Sequence, residues 1–476
     1  MGRGVLLDLL DGRRTHLRAA GRRIWPPEFD DAGLCIFIAA SLLCAICTSI
    51  ETLTAARVLQ GLGGGGLAPS EQAILADTFS VEKRGQAFAV YGMAVVFAPA
   101  IGPTLGGWIT DNFNWHWIFF INIPVGLLSL YLSNRMVEDP PALKLRKEKA
   151  KHDKIDFMGL GLVTLGVGCL EFTLDKGQEK DWFGSPMIVT FAILAVVVLL
   201  VFAIWEWNHS DPIVDLKLLK NRNFGTAVFL QLILGMVLFG STVLIPQYLQ
   251  TLLGYTAERA GMVLSPAGFV MMFMMFLAGR SLGKIDPRLM VSIAYIVTAA
   301  GIYNLTRLDL HTSFDTVTLW RMLQVVGLPF IFIPISTLNY VGVPQSKTNQ
   351  ISSLSNFARN LGGSAGTALL TTYLARSSQV HQAALAANVV PGSVPYTLYM
   401  DRIKHMLIAG GMTAAQASEM AIGQAYQDMI RQAAMLSYQN AFLLLSVAIL
   451  ALAPLPFIMR LPSKNAKLDP EAMGGH

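Results

Sequence analysis

Ionisable and amide side chains occur where their neighbours are apolar. Arg57, Gln60, Gly61, Gly64, Ala68 and Glu71 recur every three or four positions, which places them on one face of a helix. A charge inside hydrocarbon is costly and must point at protein or water, so this face marks an ion or substrate path. Arg57, near the outer end of its segment, has the alternative of extending to the interface. Glu171 and Asp175 lie four apart on another face. A carboxylate in low dielectric holds its proton tightly and releases it when water gains access, which is the chemistry a proton-coupled carrier requires. Asp175 also admits a plainer reading, a helix-end carboxylate beside Lys176, whereas Glu171 lies deeper. Asn356, Arg359 and Gly363 repeat the face pattern of Arg57, Gln60 and Gly64. Arg321 is a further interior or interfacial cation, and Glu206 reads as capping the inner end of its segment.

Other chemistries find no residues to carry them. His16, His116, His152, His209, His311, His381, His405 and His476 fall in loops or at segment ends, and no two have the spacing of a ligand pair, so neither a metal site nor a cofactor is expected. Gly63 to Gly66 is followed by no Gly-Lys-Ser or Gly-Lys-Thr and preceded by no strand, which argues against a phosphate loop. Cys44-Ala-Ile-Cys47 has redox spacing, but its apolar setting favours small buried residues. An intramembrane enzyme is therefore a weaker alternative to a carrier.

The elements that must position these groups are membrane helices. The 476 residues are 53% hydrophobic and only 14% charged, against about 25% charge in an average soluble protein. Apolar runs of about 17–25 residues fall near 33–50, 53–78, 86–110, 116–134, 156–175 and 186–206, then near 224–250, 257–283, 289–307, 316–343, 350–376 and 437–460. The chain is thus an all-α polytopic membrane protein of about twelve spans. Its net charge of +5 follows from basic residues in alternate loops, among them Arg13, Arg22, Lys83, Arg84, Lys144 to Lys151, Lys217, Lys284, Arg288, Lys464 and Lys467. Those loops are therefore cytoplasmic, the C-terminus with them, and no nucleic-acid partner is needed to explain the charge. Residues 1–32 contain no apolar run suited to a signal peptide. Residues 377–436 form a mostly polar outer connection, with an amphipathic helix expected from Met400 to Gln432 as a partner contact, a lid or a passive connector.

Gly92 to Gly107 is unusual even for a membrane helix. It holds Pro99 and Pro103, which free backbone carbonyls and bend the axis, and a ridge of Ala94, Ala98, Gly102 and Gly106 along which a neighbouring backbone could approach. A kinked packing helix without a transport role would have the same composition.

Here a family resemblance becomes specific. Gly92 to Gly107 resembles the antiporter motif of the major facilitator superfamily, with Gly92, Pro99, Gly102, Pro103, Gly106 and Gly107 at its positions, and Leu53-Thr-Ala-Ala-Arg57-Val-Leu-Gln60-Gly61 resembles the preceding signature. Trp115 to Gly126 with Asn122 and Pro124, Leu174-Asp175-Lys-Gly177, Pro212-Ile-Val-Asp215-Leu and Ser352 to Gly363 are similar to segments of the EmrB/QacA drug-efflux subfamily, the EmrB type in particular. The resemblance runs from about residue 33 to the C-terminus. It implies a multi-pass antiporter of the bacterial inner membrane that exports small amphipathic or drug-like compounds in exchange for protons. Two pseudo-symmetric bundles would surround a central cavity, and a periplasmic adaptor protein and an outer-membrane channel would be partners. Arg57 and Gln60 would belong to a proton-linked network, while Asn122, Asp175, Asn356 and Arg359 match motif positions without assigned roles.

On this reading residues 1–32 are a basic cytoplasmic segment, 33–134 the remainder of the N-terminal bundle, and 135–223 cytoplasmic loops with two additional spans. Residues 224–376 are the C-terminal bundle, 377–436 the periplasmic loop, and 437–476 the last span and cytoplasmic tail. The subfamily has fourteen spans, and its first two have no counterpart here. Leu10 to Arg14 faintly resembles the loop after them, whereas Arg22 to Asp31 resembles nothing in the pattern. A wrong start site, a frame disruption or a true truncation would each give this result. The alternatives to an exporter are thus a truncated remnant that inserts without transporting, and a facilitator carrier of one specific metabolite.

Overall fold

Apolar runs of this length satisfy their backbone groups within the segment, and they fold as helices. The computed structural model describes residues 27–79, 81–136, 156–209, 212–341, 343 and 347–460. The basic amino-terminal segment, the Lys144 to Lys151 loop and the tail with Lys464 and Lys467 lie outside them, as do the side chains of Ala98, Pro99 and Pro103.

The first half consists of α1 (Pro27–Ile46), α2 (Ile50–Gly64), α3 (Leu67–Thr78), α4 (Val81–Asn112) and α5 (Asn122–Met136). The pair α6 (Phe157–Gly177) and α7 (Pro186–Asn208) follows. The second half is α8 (Arg222–Thr251), α9 (Ala257–Ser281), α10 (Pro287–Leu305), α11 (Phe314–Val325), α12 (Leu328–Leu338), α13 (Thr348–Asn388), α14 (Val394–Ala409) and α15 (Ala414–Leu450). Side chains of Ser49, Asp156, Asn221, Thr256, Ser313 and Thr413 cap helix starts by accepting from free backbone N–H groups.

Eight described segments are long and apolar enough to cross a membrane. Four of the twelve expected spans fall short of that measure. The first has only Asp31–Ile46 as its apolar part. The second is divided at Gly65 and Gly66 into α2 and α3. The other two lie within α4 and α13, whose polar and small residues dilute their apolarity.

The main core belongs to the second half, where Phe224, Leu230, Tyr248, Tyr295, Ile302 and Phe442 are fully buried. In the first half α2 packs chiefly on α1, and Val58, Leu59 and Leu62 are exposed. The halves meet where α4 runs antiparallel to α9, and where α13 and α12 pack on α3 and α4 respectively. The cysteines are free. Cys44, Cys47 and Cys169 are buried, Cys35 is exposed, and Cys47 Sγ donates to the Cys44 carbonyl at 3.1 Å.

The 377–436 connection differs from a helix lying on the surface. Its chain leaves α13, continues in the same sense as α14, reverses at Gly410 and Gly411 with φ of 95° at Gly411, and returns as α15, which runs unbroken into the last span. At 1.5 Å per residue the 41-residue α13 and 37-residue α15 are about 60 and 55 Å long, twice a hydrocarbon core of about 30 Å. The two helices meet where His381 is hydrogen-bonded to Asn440, and beyond that level the outer part of α15 projects from the bilayer with α14 packed on it, the Tyr399 hydroxyl donating to Asp428 at 2.6 Å. Arg431 Nη2 ties the base of this projection to the Leu252 carbonyl at the end of α8, at 2.9 Å.

Candidate functional site

The polar residues converge where α3, α4, α12 and α13 meet. Asn356 Nδ2 on α13 donates to Gln72 Oε1 on α3 at 2.8 Å and to the Ser352 carbonyl at 2.9 Å. Gln72 Nε2 donates to the Tyr91 hydroxyl on α4 at 3.4 Å. Arg359 Nη2 donates to Asn356 Oδ1, and the same guanidinium lies 5.4 Å from the Phe332 ring centroid. Gln72 and Asn356 are only 4% and 5% exposed, so the bond between them is a dry contact between the two halves. Glu71, beside Gln72, is exposed and within electrostatic reach of Tyr91. The sequence pattern singled out Glu71, Asn356 and Arg359. It missed Gln72, Tyr91 and Phe332, since a glutamine and two aromatics among apolar residues have no signature of their own.

A second cluster lies on α2. Arg57 Nη1 donates to Gln60 Oε1 at 2.7 Å, and Gln60 Nε2 donates to Ser41 Oγ on α1 at 2.7 Å. Arg57 is exposed and its guanidinium stands 5.4 Å from the Phe119 ring, while Gln60 is buried. The carboxylates of α6 stand apart from both clusters. That helix packs on α7 and α13, and among the described residues no hydrogen bond or ion pair joins Glu171 or Asp175 to Arg57 or Arg359. Asp175 is exposed and lies 3.9 Å from Lys176, in keeping with the helix-end alternative, while Glu171 is half-buried. Asn122 and Pro124 open α5, where Gly126 is pressed against Ile38 of α1.

The small residues of α4 permit close approach, but on a different stripe from the expected ridge. A Cβ placed on Gly92 would fall 2.9 Å from Met275 Sδ, and one on Gly107 would fall 3.0 Å from the Glu258 backbone. Gly85 faces Leu282, and Ala89 faces Gly279. At Gly102 and Gly106 nothing lies within 4 Å, and Ala94 is exposed. The correction has a simple cause: α9 crosses α4 along the row of Gly85, Ala89 and Gly92, while the row of Ala94, Gly102 and Gly106 is rotated away from it. Farther along the crossing, the Thr104 and Ser265 hydroxyls are hydrogen-bonded at 2.6 Å. An apolar cavity of about 320 Å³ opens beside Gly106 and Gly107, bounded by Pro246 and Gln250 of α8 and by Ala257 and Gly261 of α9.

This arrangement contains no nucleophile with a base, and among the described residues no His, Cys, Asp and Glu group suited to a metal. What it offers is a hydrogen-bonded seam between two helical halves, with charges at and near it. The chain is also similar to known proteins. Residues 32–367 match the Major Facilitator Superfamily profile. The multidrug export protein EmrB of Haemophilus influenzae is 38% identical over 384 residues, covering 80% of this chain and 73% of the relative. The fatty acid resistance protein FarB of Neisseria gonorrhoeae is 33% identical, over 93% of this chain and 84% of its own. Among solved structures, a peptide transporter POT in complex with sulfate superposes with a TM-score of 0.52 at 16% identity, over 97% of this chain and 86% of that one. At that identity the match speaks to the fold alone.

Proposed function

The chain belongs to the Major Facilitator Superfamily, and from that premise we propose that it exports amphipathic, drug-like compounds across the bacterial inner membrane in exchange for protons. The observation that carries this reading is the buried Gln72–Asn356 bond, which must break whenever one half rocks against the other. With Arg359 and Tyr91 around it, the seam is a polar latch that water or substrate can replace. Relatives named for multidrug export and for fatty acid resistance support amphipathic substrates rather than a single metabolite.

In this scheme Glu171 and Glu71 carry or pass protons, Asp175 tunes the outer end of α6, and Arg57 with Gln60 holds the first half's polar face. Gly92, Pro99, Gly102, Pro103, Gly106 and Gly107 form the antiporter helix, and Asn122 and Pro124 seat α5 beside it. The basic loops and C-terminus face the cytoplasm, so the α14–α15 projection stands in the periplasm, where an adaptor leading to an outer-membrane channel would meet it. The test is proton movement in inverted vesicles on addition of lipophilic cations and weak acids. Substrate-induced proton release that is lost in Arg359→Ala and Glu171→Gln is the expected result, and no proton flux with any compound of a broad panel would overturn the proposal.

A further inference from the structure

Arg321 on α11 is 6% exposed and lies inside the second bundle. Its Nη1 donates to Gln324 Oε1 at 2.7 Å and to Ser241 Oγ at 3.1 Å, and its Nη2 donates to Thr242 Oγ1 at 3.1 Å. All of these acceptors are neutral. Two further donors, Arg321 Nε and Gln324 Nε2, are buried without a partner among the described residues, as are the hydroxyls of Tyr295 and Thr298 on α10. A buried cation normally has a carboxylate beside it, because its desolvation is otherwise uncompensated. The second half has none to offer. From Arg222 to Asn388 its helices contain Glu258 and Asp315 alone, each in a first turn, and α15 has no acidic residue after Asp428.

The position is not incidental, because it repeats. Arg57-Val-Leu-Gln60-Gly-Leu-Gly63 and Arg321-Met-Leu-Gln324-Val-Val-Gly327 share arginine, leucine, glutamine and glycine at the same spacing. Both arginines donate to their glutamine at 2.7 Å. A Cβ on Gly63 would meet the Gly33 carbonyl and the Phe37 nitrogen, and one on Gly327 the Ala294 carbonyl and the Thr298 nitrogen. In each case these are residues i and i+4 of the preceding helix, so α10 and α11 repeat α1 and α2. The two copies then differ in setting. Arg57 is exposed, whereas Arg321 is enclosed with donors left over.

We propose that Arg321, with the Gln324 amide, binds the anionic head of an amphipathic substrate, a carboxylate, inside the second bundle. The guanidinium supplies charge and its free Nε–H, the Gln324 amide supplies a second donor, and parting of the helices during transport gives the head access. The inference deepens the export reading by naming a charge class and a residue that selects it.

The test is ligand binding by tryptophan fluorescence to the full chain in phosphatidylcholine nanodiscs, with Trp320 next to the site, using dodecanoate and dodecyltrimethylammonium as probes. Arg321→Gln is expected to weaken dodecanoate about tenfold and leave the ammonium probe unchanged, with Arg321→Lys recovering part of the loss. Gln324→Glu, which keeps the fold's shape and places a carboxylate beside Arg321, is expected to exclude dodecanoate as well. Equal loss of both probes, or no loss of either, overturns the proposal. Replacing the lipid by phosphatidylglycerol separates two sources of the anion. Unchanged dodecanoate binding identifies the free amphiphile, and competition that disappears in Arg321→Gln identifies a lipid head at the same site. If wild-type protein binds dodecanoate but moves no protons in vesicles, the export reading falls and the site stands.

Discussion

At the scale of single residues, the seam depends on Asn356, which serves three partners through one amide. Its nitrogen donates to Gln72 and to the Ser352 carbonyl, and its oxygen accepts from Arg359. Asn356→Leu keeps the branched shape and removes all three bonds. The expected cost is about 1–2 kcal/mol, since hydrogen bonds between membrane helices contribute modestly, read as a lowered unfolding midpoint in detergent. Arg359 would then lie half-buried with only the Phe332 ring for company, so the loss of transport should exceed the loss of stability. Asn356→Asp separates the two kinds of bond. The carboxylate keeps its pair with Arg359 inside α13 but cannot donate to Gln72 Oε1, so the bond between the halves is lost; transport should fall, while the unfolding midpoint falls less than in Asn356→Leu.

At the scale of elements, substitution on α4 should divide by helical row. Gly92→Leu drives a side chain into Met275 and Phe332, and overpacking of about 1–3 kcal/mol is expected, measured as reduced yield and lost transport. Gly102→Leu meets open space and should transport nearly as well as wild type. Periodicity reveals that α4 is a helix with small residues on it; it does not reveal which row the partner will cross, because that depends on where α9 arrives. The same limit explains the rest of what sequence reading could and could not see. Arg57, Gln60, Asn356 and Arg359 stand out in the sequence because charged and amide side chains in an apolar run are conspicuous. Gln72 does not stand out, since it is an ordinary residue made important by a contact 284 positions away in the chain, and Tyr91 joins the cluster only through Gln72. The repeat around Arg321 was legible in principle, by setting one half of the sequence against the other.

For the whole molecule, the proposed export cycle makes the α4–α9 crossing the joint about which the halves would move. The Thr104 and Ser265 oxygens are 2.6 Å apart across it. Cysteines at these two positions, in a chain with Cys35, Cys44, Cys47 and Cys169 replaced by serine or alanine, should form a disulfide under mild oxidation. Transport should stop on oxidation and return with a reductant; transport unaffected by complete cross-linking would show that the crossing stays closed throughout the cycle. The helices that leave the membrane carry another implication. Because α15 continues without a break from the last span to Ala414, and Arg431 fixes its base to α8, the projecting tip is a rigid pointer attached to the second bundle. A stalk extending about 25–30 Å past the lipid would swing its end by roughly 5 Å for each 10° of bundle tilt. A distance label near Gly410 would therefore report each turnover as a displacement far larger than any at the seam itself, and any neighbour gripping the tip would feel the transport cycle as a mechanical stroke.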